Sequence, residues 1–202
     1  MLELLLIPIG YVIGSLPFGY WLSKLFAGVD IRTLGSGNAG ATNVWRSLGF
    51  KLGLAVAILD IAKGAAAALL ARWLADDLIA VLAGLAAMAG HWRPLFLGFG
   101  RGGKAVATLG GVGLALAPLP ALAAVGVWIV VFLATRYASL ASISAALFLP
   151  LFALLFEVSV PVLVFTCAAA LAVLVLHRTN IRRLRAGTEH RIKLRRRAVA
   201  GA

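Results

Sequence analysis

The sequence predicts an all-α integral membrane protein of about seven transmembrane helices, two of them short, with the N-terminus outside and the C-terminus cytoplasmic. Three observations carry that prediction. Hydrophobic residues make up 62% of the 202-residue chain and charged residues only 13%, whereas a soluble domain carries about a quarter charged residues. Several apolar stretches approach the ~20 residues that span a bilayer core, and the mean hydropathy is +1.02. The basic residues are gathered into particular segments, which sets the sidedness of the helices.

The first apolar segment, 4–23, follows a start, Met1-Leu-Glu-Leu-Leu-Leu-Ile-Pro8, without the positive region of a cleaved signal peptide, so it reads as a helix of the mature fold. Pro17 predicts a kink or break within it, and Pro150 does the same in a later segment. Segment 52–71 carries Asp60 and Lys63 at i and i+3. Ionisable groups at such depth face a partner or a cavity, and a mutual ion pair that fixes packing is the expected role. Segments 78–90 and 105–117 have 13 residues each, about 20 Å of helix against ~30 Å of hydrocarbon. They must borrow flanking residues, lie inside the protein, or form a re-entrant pair around 91–104 between five long helices; seven helices is the preferred scheme. Segments 119–135, 138–156 and 158–176 complete the set. The last holds Cys167, the one cysteine of the chain, expected as a packed, inert thiol.

Sidedness follows from charge. Lys24–Lys51, His91–Lys104, Arg136 and the C-terminal tail fall on one side, Asp76–Asp77, Pro118–Pro120 and Glu157 on the other, with Arg72 the basic exception near two acids. Residues 178–202 hold nine Arg/Lys against Glu189 alone, a balance of +8 out of a net +12. Beside a membrane segment this reads as a cytoplasmic orientation signal and a contact for anionic lipid headgroups, not for nucleic acid. The chain therefore divides into a membrane domain, 1–180, and a basic cytoplasmic tail, 181–202.

Three polar stretches share the cytoplasmic side: Gly35-Ser-Gly-Asn-Ala-Gly-Ala-Thr-Asn43 with Arg46, His91–Lys104 running on to Thr108, and Arg136–Ser142 with His177–Asn180. Glycine backbones, hydroxyls, amides and permanent cations suit a phosphate. Successive N–H groups can form a concave nest, and Gly102-Gly103-Lys104 before an apolar helix puts a helix N-terminus at the anion. Tight helix packing explains Gly110, Gly111 and Gly113 well, but it gives no reason for the polar groups of 35–43. No P-loop spacing, H-x-x-x-x-D dyad or Cys/His metal cluster is present, and neither cofactor nor metal is expected.

In order along nearly the whole chain, Ser15-Leu-Pro-Phe-Gly19, Gly35–Asn43 with Arg46, Gly90-His-Trp-Arg-Pro-Leu-Phe96 through Gly102-Gly-Lys104, Arg136-Tyr-Ala-Ser-Leu-Ala-Ser142 and His177 through Asn180-Ile-Arg-Arg-Leu184 resemble the bacterial acyl-phosphate:glycerol-3-phosphate acyltransferase family (PlsY type). The resemblance implies a multi-pass enzyme of the bacterial inner membrane with its active site facing the cytoplasm. Such an enzyme moves an acyl group from acyl phosphate to the 1-hydroxyl of sn-glycerol 3-phosphate, giving lysophosphatidic acid and inorganic phosphate. It implies Arg46, Lys104, Ser142, His177 and Asn180 as catalytic residues. It implies Ser36, Gly37, Asn38, Gly40, Thr42, Asn43, Gly102, Gly103 and Ser139 as substrate-binding residues, and it matches Glu189 to a tail glutamate. Membrane lipid is the surrounding partner and the expected state is a monomer. The family's glycine after Gly-Gly-Lys is replaced by Ala105, which is unfavourable if that backbone needs a positive φ. The proton acceptor is either His177 or a substrate phosphate oxygen. The rival reading is a phosphate or organophosphate transporter, disfavoured by the absence of an internal repeat and of polar residues leading outward.

Overall fold

The structure, a computed structural model, describes residues 2–192, and every regular element among them is helical. A short turn at Leu2–Leu5 enters α1 (Leu6–Gly14), and α2 (Phe18–Ala27) follows directly. The expected break at Pro17 is present: α1 stops at Gly14, Ser15 caps it in the right-handed helical region, and Pro17 departs from helical geometry. α3 (Ala41–Leu48) is a short helix that begins within the first polar stretch and carries Arg46, and α4 (Phe50–Leu74) is the longest element. α5 (Asp77–Trp92), α6 (Val106–Leu116), α7 (Pro118–Thr135), α8 (Ala138–Leu155), α9 (Val160–Leu176) and α10 (Arg178–Arg185) complete the chain. Pro150 lies inside α8 without interrupting it, so the second expected break is absent.

Five helical units are long and apolar enough to cross a membrane, or six with the α9–α10 pair, which bends by 59°. The expectation of two short segments is corrected. Asp76 caps α5, its carboxylate accepting from Ile79 N at 2.9 Å, so that helix starts at the acids, not after them. Continuing through the turn at Leu95–Leu97, it makes a 21-residue unit. α6, with 11 residues, is the one short apolar helix, about 16 Å long.

α6 is held inside the protein by its approach to α4. A Cβ on Gly64 would lie 2.2 Å from Thr108 O, and one on Gly111 would lie 1.9 Å from Ile61 O, so the two backbones meet where side chains are absent. Arg72 explains its place among acids: its guanidinium donates to Ala115 O at 3.1 Å and lies 3.5 Å from Asp77. It therefore satisfies a C-terminal carbonyl of α6, which a helix end cannot satisfy by itself. Asp60 and Lys63 form the expected ion pair at 2.7 Å, each side chain 2% exposed. Leu25, Phe26, Trp73, Leu155 and Val160 point outward, the pattern of a lipid-facing surface. Cys167 lies on that exposed surface, not packed as the sequence suggested.

Gly111→Ala should destabilise the protein by about 1–3 kcal/mol through overpacking. Gly126→Ala, on α7 with no neighbour within 4 Å of the new Cβ, should leave stability unchanged or slightly raised. Thermal unfolding of both variants in the same detergent checks the contrast.

Candidate active site

The first glycine stretch is folded by Asn43. From the first turn of α3 its Oδ1 accepts from Ser36 N at 2.9 Å, and its Nδ2 donates to Asn38 O at 2.9 Å, Leu34 O at 3.0 Å and Ile31 O at 3.2 Å. The Asn43 side chain is thus the internal staple of the loop. Gly35, at φ 56°, is required beside it, because a Cβ would fall 2.4 Å from Asn43 Oδ1. Ser36, Asn38, Gly40, Thr42 and Arg46 face a common cavity, and Gly37 does not. Among the described residues, Arg46 Nε and Asn38 Oδ1 are buried without a partner, a state that a bound polar ligand would relieve.

The second stretch departs from the expected phosphate nest. Gly102 N donates to Trp92 O at 3.1 Å and Gly103 N to His91 O at 3.0 Å, so both amides are engaged by the C-terminal carbonyls of α5. Neither glycine lines the cavity. Gly103 is required because a Cβ there would fall 1.8 Å from His91 Nε2. Ala39 N donates to Gly102 O at 3.1 Å, which ties the two glycine stretches into one surface. Lys104 follows and faces the cavity. Ala105 then opens α6 in the left-handed region, at φ 59°, where alanine pays a penalty that glycine avoids. Val106 and Ala107, in the first turn of α6, also line the cavity, which brings the positive end of that helix to the site.

The third group comes from α7, α8 and the α9–α10 junction. Ser142 Oγ donates to Ala138 O at 2.7 Å and accepts from Trp128 Nε1 at 3.1 Å. Glu189, foreseen only as a matching tail residue, is the hub. Its carboxylate accepts from Ser139 Oγ at 2.8 Å, Asn180 Nδ2 at 2.7 Å and Arg183 Nε at 2.7 Å. Asn180 Oδ1 in turn accepts from Lys104 Nζ. Burial opposes ionisation of Glu189, but the hydrogen bonds from Arg183, Asn180 and Ser139 outweigh it and hold the carboxyl below its ordinary range. The signal in the sequence was its isolation as the one acid in a strongly basic tail. Residues 193–202 of that tail lie outside the described residues.

His177 sits just past the end of α9, with Nδ1 2.9 Å from Val173 O. A carbonyl can only accept, so Nδ1 carries the proton and Nε2 is the nitrogen left with acceptor capacity. Burial, then the charge of Lys104, push the imidazole down to about 4, so it is neutral at physiological pH. Burial, then Arg183, likewise bring Lys104 down to about 8, with Glu189 opposing.

These segments enclose one cavity of about 510 Å³. Its polar end holds Arg46, Lys104, Ser139, Ser142, His177 and Asn180, and its other arm is apolar, lined by Leu54, Ala57, Ile61, Gly110, Gly113, Val125 and Leu149. An aromatic wall of Trp45, Phe132 and Trp128, with centroids 5.6 and 4.9 Å apart, stands beside the polar end. α4 and α7 flank the arm but touch each other little. Two cations and a helix N-terminus at one end, with an apolar arm at the other, can hold a phosphorylated amphiphile and stabilise charge on its phosphate.

Two outcomes follow from this geometry. kcat/KM should fall as pH rises through about 8, because deprotonated Lys104 no longer attracts the anion, and Lys104→Arg should remove that limb. Ala105→Gly should raise stability by up to about 1 kcal/mol, the relief of left-handed strain exceeding the lost methyl burial; thermal unfolding measures it.

The family profile described as glycerol-3-phosphate acyltransferase matches residues 4–187. Glycerol-3-phosphate acyltransferase of Desulforamulus reducens is 48% identical over 183 residues, covering 90% of this chain and 91% of the relative. That of Geobacter sulfurreducens is 48% identical over 193 residues, covering 95% and 98%. The fold resembles the crystal structure of PlsY (YgiH), an integral membrane glycerol 3-phosphate acyltransferase, in its glycerol 3-phosphate form. The TM-score is 0.90 at 42% identity, with 96% of each chain covered. The lysophosphatidic acid form of that protein gives a TM-score of 0.89 at the same identity and coverage. Profile, relatives and solved structures overturn the transporter alternative, and the chain belongs to the glycerol-3-phosphate acyltransferase family.

Proposed function

We propose that this acyltransferase moves the acyl group of an acyl phosphate onto the 1-hydroxyl of sn-glycerol 3-phosphate, releasing lysophosphatidic acid and inorganic phosphate. The observation that carries the reading is the amphipathic cavity, whose cationic end and apolar arm match the two ends of an acyl phosphate. The acyl chain lies along the arm between α4 and α7, with the donor phosphate at Arg46, Lys104 and the start of α6. Ser36, Asn38, Gly40 and Thr42 surround the phosphates, while Ser139, Ser142, His177 and Asn180 orient the acceptor. Asn43, Gly37, Gly102 and Gly103 act by shaping the backbone.

The acceptor hydroxyl oxygen attacks the acyl carbonyl carbon. The bond from that carbon to the phosphate oxygen breaks, and its electron pair leaves with the phosphate. Acyl phosphate is already activated, so positioning two reactants in one cavity supplies much of the acceleration. Arg46 and Lys104 stabilise the charge that grows on the departing phosphate. An imidazole held to about 4 is a weak base, so a substrate phosphate oxygen takes the hydroxyl proton, and His177 Nε2 accepts a hydrogen bond that aims the acceptor.

The basic residues Lys24, Lys51, Arg93, Lys104, Arg136 and Arg178 support a bacterial inner-membrane orientation with the site and C-terminus in the cytoplasm. Counting α6, seven crossings put the N-terminus outside. In this reading a monomeric membrane domain, 1–180, is followed by the basic tail, 181–202, whose Glu189 folds back to the site and whose arginines meet anionic lipid.

Purified protein given palmitoyl phosphate and glycerol 3-phosphate should release phosphate and lysophosphatidic acid in equal amounts, and Lys104→Ala should abolish both. Failure of the wild type with acyl phosphate, alongside activity with a thioester donor, would sink the donor assignment. His177→Ala should raise KM for glycerol 3-phosphate more than it lowers kcat; a kcat loss of about 1,000-fold with KM unchanged would make the histidine the base. Gly110→Leu, placed in open space on the cavity arm, should shift preference toward shorter acyl phosphates, read from kcat/KM across chain lengths.

A further inference from the structure

The mechanism above makes no use of the charged cluster beneath the glycine loops. Asp60 Oδ1 forms an ion pair with Lys63 Nζ at 2.7 Å and faces His91 Nδ1 at 3.4 Å. Lys63 Nζ also donates to Leu16 O at 2.8 Å, a carbonyl left out of α1 by the break at Pro17. All three side chains are buried. Ionisable groups are expensive at this depth, and an ion pair needed only for packing has no reason to engage a third helix. His91 is that third contact. Its ring lies directly under Gly103, its carbonyl accepts from Gly103 N, and the next carbonyl, Trp92 O, accepts from Gly102 N. Gly102 O then holds Ala39 N of the first glycine stretch. Leu16, Ala39, Asp60, Lys63, His91 and Gly103 border one small pocket of about 10 Å³, and Asp60 and His91 also reach the wall of the main cavity, so the cluster adjoins both loops and the site.

We infer that Asp60, Lys63 and His91 are positioning residues for the transfer: a charged bracket that locks α4, α5 and the Pro17 break together, and thereby fixes Lys104 relative to Asn38 and Gly40. Cations and loop amides that must meet a phosphate group within hydrogen-bond distance tolerate little drift. A misplacement of about 1 Å can cost on the order of 100-fold in rate. The inference rests on the acyltransferase reading for its kinetic readout, but the phosphate-binding readout does not depend on the donor.

Three variants test it. Asp60→Asn/Lys63→Met removes both charges together, because either change alone would leave a buried charge unpaired. His91→Leu keeps bulk and removes the contact with Asp60, whereas His91→Asn returns an N–H where Nδ1 stood. Each is assayed for lysophosphatidic acid formation, and separately for binding of inorganic phosphate to folded protein. The paired variant and His91→Leu should lose on the order of tenfold or more in kcat and bind phosphate more weakly, with unfolding temperatures near wild type. His91→Asn should recover most of both losses. If the paired variant does not fold, the two His91 variants decide. Folded His91→Leu with kcat and phosphate affinity within about twofold of wild type would overturn the bracket, as would equal losses in His91→Leu and His91→Asn. A wild type that binds phosphate but makes no product from acyl phosphate would count against the donor assignment, and phosphate binding across the variants would still decide the bracket.

Discussion

The site depends on one connected polar chain. Lys104, Asn180 and Glu189 are 76 and 9 residues apart in sequence, and together they join the glycine loop before α6, the α9–α10 junction and the returning tail. A lysine buried to this degree is unfavourable without acceptors. Asn180 supplies an acceptor directly and Glu189 supplies the balancing charge. Because Glu189 also takes hydrogen bonds from Ser139 and Arg183, both of its carboxylate oxygens hold elements together. The cation is thereby kept close to a partner that a substrate phosphate can outcompete. The same arrangement explains the titration of the neighbours: hydrogen bonds from Arg183, Asn180 and Ser139 keep Glu189 ionised, while burial, then the charge of Lys104, leaves His177 neutral.

Around this chain the glycines have two separate functions. Gly35 supplies a positive φ beside Asn43, whereas Gly103 supplies room for the His91 ring. In both loops the backbone hydrogen bonds are largely internal: Ser36 N to Asn43, Gly102 N and Gly103 N to α5, Ala39 N to Gly102. A loop next to hydrocarbon cannot rely on water for these groups, so it satisfies itself first. What it offers to an anion is side chains and the start of α6. Glycine-rich composition therefore indicates a close-packed, polar turn, and the cations beside it on the cavity wall are Arg46 and Lys104.

The short helix α6 links this polar end to the apolar arm. Its length would leave it stranded against lipid, but Gly64 and Gly111 bring it onto α4, and Arg72 satisfies its far end. With α6 drawn inward, α4 and α7 flank a groove over Gly110 and Gly113 instead of meeting along their length. One set of small residues thus produces both tight packing on one face and free volume on the other.

The sequence by itself determined the membrane class, the break at Pro17, the Asp60–Lys63 pair and the three polar segments, because hydropathy, proline geometry and charge placement act locally. The family resemblance pointed to the same residues, and most of them converge on one cavity. Only the tertiary structure decided how they are used. Asn43, Gly102 and Gly103 are tied into the loops by hydrogen bonds to partners 5 to 12 residues away or on another helix, and such partners are invisible to pattern. α3 was missed because Ala-Thr-Asn-Val-Trp-Arg-Ser-Leu48 carries too short an apolar stripe to signal a helix; its stability comes from packing on α4. Asp76 lengthened α5 by capping it. Glu189 and His91 meet their partners through long-range contacts, and such contacts exist only once the helices are assembled.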